Sequence, residues 1–172
     1  QYNVQHMDMN GNSELAVPQN TLGAELRQLE NKQWEQITLP HTPFVEPLTV
    51  LHQWQGICYY KKKITITPEE AKKHIWIEFE GAMHLADVWI NGKHVMQHAG
   101  GYTPFVVDAT GLLKTDKENE LLVRLDNRNN SLIPPGKPLE TLDFCYYGGI
   151  YRNVHLIAKA DVHITHPILD GH

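Results

Sequence analysis

Two glutamates, Glu78 and Glu80, are the carboxylate pair in this sequence with the spacing closest to an acid–base pair. Two carboxyl groups held close together can divide the roles of proton donor and acceptor. Ile75, Ile77 and Phe79 alternate with this pair, however, so both glutamates belong to one face of a strand, opposite its apolar face. We therefore interpret them as residues of a solvated outer face.

The eleven histidines and two cysteines do not form a recognisable metal motif. No His-Glu-x-x-His or Cys/His set occurs, and on a strand His163 and His166 would point to opposite faces. Cys58 and Cys145 lie among aromatic residues and form no Cys-x-x-Cys pair, which favours buried free thiols and leaves open whether the two pair with each other. We expect no metal and no cofactor.

The apolar residues repeat with a period of two, which is typical of strands. Apolar and polar residues alternate from Tyr60 to Thr67 and stop at Pro68, and the polar run Glu69–Lys73 predicts a turn, at most one helical turn. Asn91-Gly92 between two alternating segments predicts a β-hairpin with a type I′ turn. Further strands are predicted at Glu120–Asp126, Gly149–Ala158 and Val162–Thr165.

Short strands separated by Gly-, Pro- and Asn-rich loops, without a helical apolar stripe, predict an all-β fold, a β-sandwich or jelly roll with little helix. The polar, poorly patterned residues 1–32 are interpreted as an N-terminal arm, or as a segment whose packing the sequence does not specify. The sandwich is expected over residues 33–160, and residues 161–172 are interpreted as the start of a linker.

Composition argues against a nucleic-acid partner, because the net charge is −5. The basic run Lys61–Lys63 is interpreted as a solvated strand edge. No apolar stretch approaches the ~20 residues needed to cross a bilayer. A start at Gln1 is what removal of a signal peptide, or an engineered start, would leave, and we expect an extracytoplasmic location, periplasmic or secreted.

From Leu39 onward the chain resembles the N-terminal sugar-binding-type domain of glycoside hydrolase family 2, which includes β-galactosidases, β-glucuronidases and β-mannosidases. Five segments carry the resemblance in the family's order: Leu39–Pro43; Gln55–Tyr60; Phe79–Ala82 with Ala86–Gly92; His98–Phe105 with Asp108–Thr110; and Tyr147–Val154. Each segment alone is weak evidence of the resemblance, and the five segments in order are strong evidence. The resemblance implies a galactose-binding-domain-like jelly roll.

The resemblance also implies that this chain is catalytically silent. In the family, the two catalytic carboxylates belong to a (β/α)₈ barrel, a fold of about 250 residues that does not fit in this chain. An aspartate just before the Gly-Ile-aromatic-Arg strand reaches from this domain into the barrel's sugar pocket, and the aspartate at that position here is Asp143. A turn-capping role for Asp143 remains the alternative. A second family contact, an asparagine, is not carried over, since residues 45–55 contain none.

The function implied is that of a non-catalytic domain that supports the barrel of a β-galactosidase-like exo-glycosidase and lends Asp143 to its pocket. Its partners would be a β-glycoside, an immunoglobulin-like domain and the barrel. An autonomous carbohydrate-binding module is the alternative, in which exposed aromatic rings would stack on sugars; its candidate residues are Trp34, Trp54, Trp76 and Trp89. A purely structural spacer is a third hypothesis.

Overall fold

The computed structural model of the protein describes residues 2–7, 29, 34–44, 53–164 and 168. Its strands are β1 (Tyr2–Met7), β2 (Glu35–Ile37), β3 (Ile57–Ile64), β4 (His74–Phe79), β5 (Leu85–Ile90), β6 (Lys93–Ala99), β7 (Phe105–Asp108), β8 (Asn119–Asp126) and β9 (Val154–Lys159). Single 3₁₀ turns span Glu70–Lys72 and Leu139–Thr141. The predicted all-β fold and the predicted turn before β4 are confirmed.

Two antiparallel sheets form the sandwich. The six-stranded sheet has the order β2-β1-β3-β8-β5-β6, and the three-stranded sheet has the order β7-β4-β9. Lys61 lies between β1 and β8, so the interpretation of the basic run as a strand edge fails for this residue, whereas Lys62 and Lys63 pair with β8 alone among the described strands. Lys61 and Lys63 instead form ion pairs with Glu120 and Glu118, which partly neutralise the basic run on the sheet surface.

The main core lies between the two sheets. The alternating residues Ile75, Ile77 and Phe79 of β4 are buried there, together with Val88 of β5 and Val123 of β8. Period-two alternation therefore identified the buried face of β4 correctly, because one face of that strand meets the opposite sheet.

The opposite face of the six-stranded sheet is buried at its centre as well. Tyr59, Asp87 and Arg124 are cross-strand neighbours on this face, and each is nearly inaccessible to solvent. Leu29 packs here against Ile57 and Tyr59. Neither this contact nor the strand β1 was predicted, because residues 1–32 were interpreted as an arm. The boundaries proposed near residues 32 and 160 stay predictions.

The hairpin between β5 and β6 is confirmed. Asn91 and Gly92 have φ values of 52° and 78°, the positive values that a type I′ turn requires. The Asn91 side chain also joins the hairpin to β8, because its Oδ1 accepts the Glu120 N–H at 3.0 Å and its Nδ2 donates to Asn119 Oδ1 at 2.9 Å.

Two strand predictions need correction. The strand predicted at Gly149–Ala158 begins only at Val154, and Gly149 forms an isolated bridge to Met83 instead. Val162, His163 and Ile164 lie outside every described strand, so the strand predicted over 162–165 is wrong where it can be compared. Thr165 and His166 lie outside the described residues. The sequence analysis also missed β2 and β7.

Candidate functional site

Four connecting segments, 53–56, 80–84, 100–104 and 127–153, meet at one end of the sandwich. The strand register explains why: Ile57 and Leu85 both pair with Asp126, and Val154 and Phe105 both pair with Phe79. The ends of these strands therefore feed the four described segments into one region. In a β-sandwich such loop clusters are the common place for a binding site.

Asp143 lies at this end, between two buried anchors. Leu142 and Tyr146 pack with Met83 and Leu139 in a small separate core, whereas Asp143 is exposed. Within the described part of the chain its carboxylate takes part in no hydrogen bond or ion pair. The segment therefore presents a free acceptor between two fixed points.

Two other loop residues with short polar side chains, Asp108 and Asn130, behave differently. Asp108 Oδ1 accepts the Thr110 N–H at 2.9 Å, and Asn130 Oδ1 accepts the Leu132 N–H at 2.9 Å, so both cap turns in their loops. Asp143 caps no turn among the described residues. Its carboxylate is left available for a partner from outside this domain.

A polar clamp holds the ends of the Asp143 segment, residues 139–146. The clamp is formed by Gln53, Gln55, Asn129 and Tyr146. Gln55 Nε2 donates to Asn129 Oδ1 at 2.7 Å and to the Tyr146 hydroxyl at 3.2 Å. Asn129 Oδ1 also accepts the Leu139 N–H at 3.1 Å, and Gln53 Oε1 accepts the Tyr146 N–H at 3.1 Å. The clamp thus reaches both Leu139, where the segment begins, and Tyr146, beyond Asp143.

The glycine pair Gly148-Gly149 lets the following chain lie against the core. A Cβ on Gly149 would come within 2.5 Å of the Tyr60 hydroxyl, and one on Gly148 within 2.6 Å of Asn127 Nδ2. The close approach permits the Ile150 N–H to donate to the Tyr60 hydroxyl at 3.3 Å. Burial raises the pKa of Tyr60, so its phenol stays protonated and able to bond.

Charged groups are buried beside this end of the sandwich. Burial alone would raise the pKa of Asp126, but hydrogen bonds from Arg128 and the charges of Arg128 and Arg124 outweigh burial and hold that pKa below its usual value. His84 stacks on the Tyr146 ring with a centroid distance of 6.5 Å, and burial lowers its pKa. At neutral pH His84 is therefore an uncharged part of the packing under the Asp143 segment.

The glycine pair, the close Tyr60 contact and the hairpin all belong to the segments that carried the resemblance noted from the sequence. A comparison with protein-family models matches residues 6–160 to the sugar-binding domain of the glycosyl hydrolases of family 2. The chain belongs to this family. The resemblance stated from Leu39 onward is confirmed, and the family match begins earlier, at residue 6.

Relatives of the family 2 domain are much longer proteins. The domain is 33% identical over 153 residues to a β-galactosidase of Thermoanaerobacter pseudethanolicus, and the match covers 87% of this chain and 20% of that protein. It is 37% identical over 135 residues to a β-glucuronidase of Bacteroides fragilis, covering 75% of this chain and 18% of that protein. The structure of a Bacteroides uniformis β-glucuronidase superposes with a TM-score of 0.69 at 27% identity, covering 94% of this chain and 17% of that one. The domain therefore spans about a fifth of its curated relatives.

No tryptophan of the family 2 domain forms an exposed platform, and all four lie in the described part. Trp76 and Trp89 are buried, and Trp54 stacks on Phe44 at 5.7 Å. Trp34 is half-buried beneath the Lys61 ammonium, which lies 5.4 Å from the ring centroid. The exposed aromatic side chains of the loop end are instead Phe44, Tyr102 and Phe144.

The remaining sequence candidates have local roles. Glu80 accepts hydrogen bonds from the Asn153 N–H at 3.2 Å and pairs with His155 Nε2 at 3.0 Å, at the surface of the three-stranded sheet. Cys58 is buried, Cys145 is half-buried, and both are free thiols. Among the described residues no three His, Cys, Asp or Glu side chains are grouped to hold a metal ion, and no helix is long and apolar enough to span a membrane.

Sequence reasoning missed the polar clamp. Gln53 and Gln55 carry no motif of their own, and the Asn-x-Ser sequon that begins at Asn129 does not indicate the clamp. The partners of the two glutamines lie far away along the chain. Gln55 does stand in one of the segments that carried the resemblance, but nothing in its spacing points to Tyr146. Only the fold brings these residues together.

Proposed function

We propose that this chain is the non-catalytic domain of a β-galactosidase- or β-glucuronidase-like exo-glycosidase, and that Asp143 binds hydroxyl groups of the substrate sugar. The domain supports a catalytic barrel that lies outside this chain, with an immunoglobulin-like domain as a further neighbour, in an extracytoplasmic enzyme. Family membership and the names of the longer relatives support the class of enzyme.

The exposed, unpaired carboxylate of Asp143 is the observation that carries the proposal. A carboxylate can accept strong charge-assisted hydrogen bonds from two adjacent hydroxyl groups, the pattern that a pyranose ring presents. Asp143 keeps its acceptor atoms unused, while Leu142 and Tyr146 on either side are buried. The contrast with Asp108, which caps its own turn, disfavours the turn-capping alternative.

The carboxylates of the described domain do not suggest a hydrolytic pair. Retaining hydrolysis generally needs two carboxyl groups about 5 Å apart, facing a sugar. Glu80 is bound to Asn153 and His155 on an outer sheet surface, and Asp87 is buried beside Arg124. These roles are consistent with catalytic groups that lie outside this chain. The absence of an exposed tryptophan platform among the described residues gives no support to an autonomous carbohydrate-binding module.

The test is Asp143→Ala in the full-length enzyme, assayed with p-nitrophenyl β-galactoside and p-nitrophenyl β-glucuronide. A hydrogen bond to a charged group contributes roughly 1.5–3 kcal/mol. Expressed in the transition state, its loss should lower kcat/KM about ten- to a hundredfold, and Asp143→Asn, which keeps one neutral acceptor, should lose less.

Glu140→Ala is the matched control, because Glu140 is another exposed carboxylate of the same segment. It should keep normal kcat/KM, and all variants should keep the wild-type melting temperature. The 172-residue chain alone should show no turnover above background. Normal kcat/KM in a stable Asp143→Ala enzyme, or a loss of stability with normal kinetics, would remove Asp143 from the sugar pocket.

A further inference from the structure

Asp143 can bind a sugar with useful affinity only if its segment is held in one position before the sugar arrives. Three residues, 143–145, separate the buried anchors Leu142 and Tyr146. Asp143 makes no hydrogen bond or ion pair to any other described residue that would fix it. Its position therefore depends on what holds the two anchors. A contact that fixes a binding group in advance reduces the ordering cost of binding.

Gln55 is the residue that joins the two ends of this segment. Its amide nitrogen has two hydrogens, and each has an acceptor: Asn129 Oδ1 at 2.7 Å and the Tyr146 hydroxyl at 3.2 Å. Asn129 Oδ1 in turn accepts the N–H of Leu139, where the segment begins. The chain of bonds thus runs from Leu139 through Asn129 and Gln55 to Tyr146.

Two of the contacts that hold Tyr146 do not involve Gln55. The backbone of Tyr146 is held separately by Gln53, and its ring by His84, so both would survive the loss of Gln55. What would be lost is the hydrogen-bonded link between Tyr146 and Leu139, which leaves only their packing in the small core to hold the two ends at a fixed distance. Loss of the Gln55 amide should therefore leave a folded domain whose Asp143 segment is less well placed.

We propose that Gln55 is a positioning residue for sugar binding, acting through Asp143 by means of the two hydrogen bonds of its side-chain amide. This inference rests on the proposed function of Asp143. It adds a residue that neither touches the sugar nor lies near Asp143 in the sequence, and it assigns that residue a role distinct from stability.

The decisive variant is Gln55→Glu in the full-length enzyme, which keeps the shape of the side chain and removes the donor to Asn129 Oδ1. The Tyr146 hydroxyl can still donate to the new carboxylate, so the substitution breaks the chain of bonds at Asn129. We expect kcat/KM for the better nitrophenyl glycoside to fall about tenfold, the equivalent of one hydrogen bond expressed in the transition state. The deficit relative to wild type at the same pH should shrink as the pH falls toward ~4.3, because a protonated carboxyl group again donates one hydrogen bond.

Gln97→Glu is the matched control. The Gln97 amide donates to Asp87 Oδ1 at 2.9 Å, on the face of the six-stranded sheet opposite the main core. The same substitution there also removes a donor and adds a charge, so it should lower the melting temperature and leave kcat/KM unchanged. A purely structural role of Gln55 predicts the same behaviour for both variants.

A double-mutant cycle with Asp143→Ala separates the possible failures. If Gln55 acts through Asp143, adding Gln55→Glu to Asp143→Ala should cost less than about twofold more. The inference would be overturned if the losses of kcat/KM multiply in the double variant, or if Gln55→Glu has normal kinetics while Asp143→Ala is impaired. Either result would leave the proposed function standing. Normal kinetics of Asp143→Ala would overturn both. If Gln55→Glu does not fold, Tyr146→Phe, which removes one acceptor and keeps the ring, takes its place in the cycle with the same criteria.

Discussion

Replacing Gly149 with alanine tests the packing that places the strand after the Asp143 segment. Gly149 has a φ of 97°, and an added Cβ would lie 2.5 Å from the Tyr60 hydroxyl and 2.8 Å from the His41 carbonyl oxygen. The hydroxyl is not a free end that can move aside, because it accepts the Ile150 N–H and is bonded to His41 Nδ1 at 3.1 Å. The new methyl group must therefore displace a bonded group or the backbone itself.

The expected cost has two parts. A positive φ costs a residue with a Cβ roughly 1–2 kcal/mol, and forcing a methyl group into a packed site costs roughly 1–3 kcal/mol. Gly149→Ala should therefore lower the free energy of unfolding by about 2–5 kcal/mol, a large share of the roughly 5–15 kcal/mol typical of a domain. For a domain of this size the melting temperature should fall by about 5–15 °C.

Two other glycines allow the two parts of this cost, backbone strain and steric clash, to be measured separately. Gly92 has a φ of 78° with no atom within 4 Å of the added Cβ, so Gly92→Ala measures backbone strain alone. Gly148 lacks a positive φ, but its Cβ would meet Asn127 Nδ2 at 2.6 Å, so Gly148→Ala measures the clash alone. Urea unfolding of the 172-residue chain gives all three values. A Gly149→Ala loss no larger than that of Gly92→Ala would refute the close packing against Tyr60.

Two further predictions concern buried charge. Asp87→Ala should lower the free energy of unfolding by about 3 kcal/mol or more, because it removes a buried partner of Arg124. Lys63→Ala, at the exposed pair with Glu118, should cause no measurable change in urea unfolding. Equal effects of the two substitutions would contradict the burial of Arg124. The pKa of His84 is lower in the folded than in the unfolded chain, so the unfolded state binds the proton more readily and stability should decline as the pH falls through ~6.5. Melting temperatures of His84→Phe between pH 7 and pH 5 should therefore vary less with pH than those of wild type, and an unchanged slope would show that His84 is not the group responsible.

Local signals in the sequence predicted those parts of the fold whose cause is local. Asn91-Gly92 specifies its own turn, and the alternation of Ile75, Ile77 and Phe79 specifies the buried face of its strand, so both predictions are confirmed. β1 carries no such signal, because its place in the sheet comes from backbone pairing with β3, residues far along the chain. β7 is only four residues long, too short for an alternation to be recognised.

The residues of the candidate site also divide into those with a signal in the sequence and those that only the tertiary structure brings together. Family resemblance pointed to the glycine pair and to Asp143, because both stand next to a recognisable strand, and the role of Asp143 stays a prediction. The buried pair of Asp87 and Arg124 was not foreseen, because the covering of the second sheet face depends on residues such as Leu29 that have no pattern. Gln55 could not be identified either, since its two partners are set by tertiary structure alone.

The order of strands in the six-stranded sheet has a consequence for how the chain folds during synthesis. β3 pairs with β8 across all of β4–β7, and β4 pairs with β9, the last of the described strands. Neither sheet can be completed until these late strands have left the ribosome, so the early strands wait with unpaired edges. Such dependence on distant contacts makes folding slow and leaves the nascent chain open to aggregation. We therefore expect ribosome-bound chains that stop before β8 to need chaperone protection, which chains extended beyond β9 no longer need.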